Sequence, residues 1–77
     1  MNITDEALNK AYQSILQEEM QSAKEKLSPE DLSWIVQQNS TRAGTMKIIS
    51  ITGAGFNVSL NLYKQLRREY FAEELND

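Results

Sequence analysis

Histidine and cysteine are absent from this 77-residue chain, proline and tryptophan occur once each, and glycine three times. Without cysteine there is neither a disulfide nor a thiolate nucleophile, which fits a reducing cytoplasm. Without histidine no side chain titrates near neutrality unaided, so a general base would have to be a strongly shifted carboxylate or lysine. The acids do not converge for such work. Asp5/Glu6, Glu18/Glu19, Glu30/Asp31 and Glu73/Glu74 are sequence neighbours, and neighbours on a helix point about 100° apart. Ser22 and Ser59 have no base beside them in sequence, and a chain this short has little room for a substrate pocket of several hundred cubic ångströms beside its core. The expectation is therefore no enzymatic activity, no cofactor, no metal site and no small-molecule substrate.

Long apolar runs are missing too. No window approaches the roughly 18 apolar residues of a membrane span, and MNITDEALNK lacks the basic-then-apolar order of a signal peptide. The reading is a cytoplasmic protein with no membrane role. Acid is also missing from one long stretch. Residues 1–31 carry seven acids against three lysines, residues 69–77 carry four acids and no base, and residues 32–68 carry no acid at all. That middle stretch holds Arg42, Lys47, Lys64, Arg67 and Arg68, inside a chain of net charge -3. The acidic first and last segments suit packing beside a basic middle within one fold; the other reading is an anion-facing surface, which the overall acidity disfavours for nucleic acid because it opposes long-range attraction.

What is present is helical periodicity. Leu8, Tyr12, Ile15, Leu16, Met20, Ala23 and Leu27 recur at three- and four-residue steps, with Thr4 as N-cap and Asp5 and Glu6 in the first turn. This predicts a helix over about 5–26. SPED at 28–31 restarts the chain, with Ser28 as N-cap, Pro29 at the first helical position and Asp31 placed to reach back to the cap. The second helix then runs over about 29–39, fading at QQNST, with Ile35 and Val36 inward and Trp34 on another side. TMKIISIT at 45–52 reads as a short buried helix over about 44–52 or as a strand; no second strand-like segment exists to pair with it, which favours the helix. The last helix is expected over about 57–75, capped by Asn57, with Leu62, Tyr63, Leu66 and Tyr70 inward. The fold class is all-α: a small bundle of four helices in a single domain, 1–77.

KIISITGAG at 47–55 resembles the first strand and glycine turn of short-chain dehydrogenases, through Thr52, Gly53 and Ala54. The two later glycines of that pattern are replaced by Asn57 and Ser59, where the backbone would have to approach a pyrophosphate. The family's Tyr-x-x-x-Lys pair is missing as well: Leu16, Arg67 and Glu74 stand four residues after Tyr12, Tyr63 and Tyr70. The glycines are better read as the end of one helix and the turn into the next.

Leu60, Phe71 and Leu75 form an apolar stripe on the last helix beside its core face, more than a small monomer buries with ease. The leading functional reading is a small non-catalytic interaction or regulatory protein that binds a partner protein or itself through that stripe. Trp34, Leu60, Arg67, Phe71 and Leu75 are its candidate interface residues, because aromatic and arginine anchors carry most of the energy at such surfaces. The alternative is a helix-turn-helix DNA-binding regulator of transcription or replication, in which Arg42, Asn57, Asn61, Lys64, Gln65 and Arg68 would meet DNA.

Overall fold

The computed structural model describes residues 4–75, with side chains through residue 72. Four helices follow one another: α1 (Asp5–Glu25), α2 (Pro29–Val36), α3 (Thr41–Thr52) and α4 (Phe56–Leu75). The 45–52 segment is helical, and the helix around it begins three residues earlier than its apolar run suggested. Ser40 explains the earlier start: its hydroxyl accepts from the Ala43 amide at 3.1 Å, satisfying one of the unpaired donors of the first turn.

The other helix ends follow local chemistry. Thr4 accepts from Ala7 N at 3.1 Å. Ser28 and Asp31 form the reciprocal capping box, each side chain meeting the other's backbone N–H. At the end of α3 Gly53 adopts φ +73°, the left-handed conformation that a Cβ disfavours, and its N–H donates to Ile49 O. Thr52 donates its hydroxyl to Ile48 O and accepts from Ala54 N, which fixes the turn into α4. Asn57 is not the cap of α4. The helix begins at Phe56, with Gly55 O accepting from Ser59 N, and Asn57 lies in the first turn.

The core gathers Leu16, Met20, Ala23 and Leu27 from the first helix and its exit, Ile35 and Val36 from α2, Ile48 from α3, and Val58, Leu62, Tyr63 and Leu66 from α4. Helix α4 is the central element, touching each of the other three. Its tightest approach is to α3. A Cβ built on Gly44 would stand 2.1 Å from Tyr63 Cε1, so the tyrosine ring occupies the space that any larger residue would need. Tyr63 then donates its hydroxyl to Gln38 O just beyond α2. Arg67, one turn further along α4, donates to Val36 O at 2.8 Å, and Gln38 covers Trp34 O and Ile35 O with its amide side chain and backbone. The short α2, lacking a basic residue in its last turn, thus has its final carbonyls satisfied mainly from α4 and from its own exit residue.

The sequence pattern of α1 is only half realised. Leu16, Met20, Ala23 and Leu27 are buried, but Leu8, Tyr12 and Ile15 are exposed. At 3.6 residues per turn the first three apolar positions of the stripe centre about 80° away from the last four, so one helix face cannot present both sets to the same core.

Candidate functional site

Helices α3 and α4 are joined by only three residues, and beyond their line of contact they leave an open groove of about 650 Å³. Its walls are two helical rows. Arg42, Thr45 and Met46 stand at three- and four-residue steps on α3, and Phe56, Leu60 and Lys64 at four-residue steps on α4. The lining is mostly apolar. Phe56 is 64% exposed and Met46 50%, values at which neither contributes much to the core, while Arg42 and Lys64 place their charges at the rim. No acidic residue lines the groove. At its base Thr45 is buried, and its hydroxyl has no hydrogen-bond partner; Ser59 on α4 is in the same condition.

The sequence-derived interface residues are distributed as follows. Leu60 lies in the groove, partly buried. Phe71 is exposed on the same face of α4, about 16 Å further along at 1.5 Å per residue. Arg67 lies between them, but its guanidinium is turned inward: besides donating to Val36 O it stands 4.5 Å above the Phe71 ring and 6.0 Å from Tyr63. Trp34 is partly exposed on α2 with the Lys47 ammonium 5.2 Å over its ring, an arrangement that screens the ring with a charge. Leu75 lies outside the described side chains.

The polar row proposed for DNA is split in the same manner. Asn57 donates to the Tyr12 hydroxyl, Asn61 donates to Asn57 O at 2.8 Å, and Gln65 donates to Glu69 at 3.1 Å. Arg68 is exposed, whereas Arg42 and Lys64 belong to the groove. Phe56 and Met46 were not singled out by sequence reading. Phe56 is four residues before Leu60 on the same face, and placing the helix start at 57 assigned it to the turn; Met46 was absorbed into a segment that also read as a strand.

Comparison with protein-family models, curated proteins and solved structures gives no match. Among the described residues no group of three or more metal-ligating side chains lies together, and no helix is long and apolar enough to cross a membrane.

Proposed function

We propose that this protein is a non-catalytic interaction module, and that the α3/α4 groove is its binding surface, suited to an acidic amphipathic helix. The observation that carries this reading is the groove itself: Met46, Phe56 and Leu60 as an apolar floor, with Arg42 and Lys64 at the rim and no acid among the lining residues. Large apolar side chains left in water cost solubility, and a contiguous set edged with charge is the usual form of a helix-receiving groove. The expected regulatory role follows from such binding, with Leu60 shared between this surface and the stripe on the last helix.

The test uses two designed helical peptides, each with leucines at three- and four-residue steps, one flanked by glutamates and the other by lysines. Fluorescence anisotropy should show preferential binding of the acidic peptide, abolished by Arg42→Glu with Lys64→Glu. Equal binding of both peptides, or of neither, refutes the reading.

The acid-free stretch also supports the second reading, a helix-turn-helix regulator, since α3, a three-residue turn and α4 follow one another with Lys64 and Arg68 exposed. What weighs against it is the Tyr12–Asn57 contact, which engages a side chain that would read DNA and belongs to the packing of the net-acidic α1 against that helix. Salt-sensitive binding of a mixed-sequence duplex at low ionic strength would favour it.

A further inference from the structure

The exposed stripe of α1 is the feature of this fold that the groove does not yet explain. Leu8 is 60% exposed, Tyr12 49% and Ile15 56%, and the three stand at i, i+4 and i+7, one face of a helix. Asp5 and Glu19 fall along the same face and Glu18 beside it, while Lys10, the one base of this half, lies opposite and pairs with Glu6 at 3.6 Å. The Leu8/Tyr12/Ile15 face of α1 is thus an apolar stripe left in water, with acid before it at Asp5 and after it at Glu18 and Glu19.

The groove has the complementary character in both respects, apolar in its floor and basic at its rim. One chain cannot join its own two patches. Asn57 holds Tyr12 on a face of α4 about 100° around the helix from Phe56, so the α1 stripe stands beside the groove and not in it. A second copy meets no such restriction. Two chains related by a twofold axis near the first turn of α4 would each lay the first half of α1 into the other's groove, so that one kind of contact is made twice and closes. We infer that the occupant of the groove is the Leu8/Tyr12/Ile15 face of α1 from a second copy of this chain, paired reciprocally as a dimer. This rests on the reading of the groove as a receptor for an acidic amphipathic helix and names the helix.

Sedimentation equilibrium on the full chain tests it by charge reversal at exposed positions, where folding, followed by circular dichroism, should not change. Wild type should self-associate. Arg42→Glu with Lys64→Glu should weaken the dimer about tenfold or more, as should Asp5→Lys with Glu19→Lys, because each sets like charges across both joints. All four substitutions in one chain should restore association, since the charges then match again. The proposal is overturned if the wild type stays monomeric at about 100 μM, a concentration well above the Kd of a micromolar complex. It is also overturned if groove reversal leaves the dimer intact, which would mean α1 pairs with α1, or if the four-substitution chain remains monomeric. A monomeric wild type that still binds the acidic designed peptide would remove the dimer and leave the groove reading standing; loss of both would remove the two together.

Discussion

Gly44→Ala tests the contact on which the arrangement of α3 and α4 depends. In an exposed helix interior this substitution stabilises by about 1 kcal/mol, because alanine restricts the unfolded chain and suits the helix. Here the added methyl would lie 2.1 Å from Tyr63 Cε1 and 2.2 Å from Cδ1, far inside van der Waals contact. The ring cannot easily give way: Tyr63 is 4% exposed and its hydroxyl is held by Gln38 O. If the helices separate, the overpacking costs about 1–3 kcal/mol. If the ring swings aside, the bond to Gln38 O is lost as well, for about 1 kcal/mol more. Against the propensity gain, the net cost should be about 0–2 kcal/mol if the helices separate and about 1–3 kcal/mol if the ring swings aside; in the middle of that span, about 1–2 kcal/mol, Tm falls on the order of 10 °C for a domain of this size. Thermal and urea unfolding of Gly44→Ala, Tyr63→Leu and the double variant would measure it. In the Tyr63→Leu background the methyl has space, so the same alanine should be neutral or favourable. A Gly44→Ala protein as stable as wild type, or one that loses as much in the Tyr63→Leu background, would falsify the account of this contact.

Thr45→Val and Ser59→Ala should leave stability unchanged or raise it slightly, against the usual sign for buried substitutions, because each hydroxyl is buried without a partner and its loss removes only a desolvation cost; a urea midpoint lowered by either would reveal a bond that the structure does not contain. Ser28→Ala should cost about 1 kcal/mol by opening the capping box of α2, and Ser28→Asn much less, read from the same unfolding curves. Arg67→Ala should lower stability by about 1–2 kcal/mol, since Val36 O loses a charged donor and Phe71 its cover, with Arg67→Lys recovering only part. An Arg67→Ala chain with an unchanged unfolding midpoint would show that water replaces the guanidinium at no cost.

The legible parts of the fold were those set by short-range chemistry. Thr4, SPED and the glycines at 53 and 55 mark helix ends through hydrogen bonds and φ angles that depend on a few neighbouring residues, and all of those ends lie within a few residues of expectation. Ser40 was equally local but sat in a polar run that read as loop, so the start of α3 was missed. The core stripe of α4 was legible because Leu62, Tyr63, Leu66 and Tyr70 repeat within a narrow sector. The stripe of α1 was over-read. Its seven apolar positions satisfy three- and four-residue spacing pairwise while drifting round the helix, and only the tertiary arrangement decides where the core ends. The groove was least visible in sequence, since it depends on the Gly44–Tyr63 approach, a contact between residues nineteen apart whose cause is the absence of a side chain.

That contact also links stability to the surface proposed to bind. The glycine turn fixes α3 and α4 at one end, and the Tyr63 ring seated on Gly44 fixes their separation near the start of α3. The groove row of α3 begins immediately before that point, with Arg42, and continues through Thr45 and Met46; Phe56, Leu60 and Lys64 face it from α4. The spacing between apolar floor and basic rim is therefore set by packed groups and not by the flexible side chains that line it. Gly44→Ala should consequently disturb binding of the acidic peptide at temperatures where the protein is still folded, while Arg67→Ala, which acts on α2 and the far half of α4, should reduce stability with little change in affinity. If the two variants instead lose affinity in proportion to their loss of stability, the groove is not held by the α3/α4 contact, and its shape must come from the bundle as a whole.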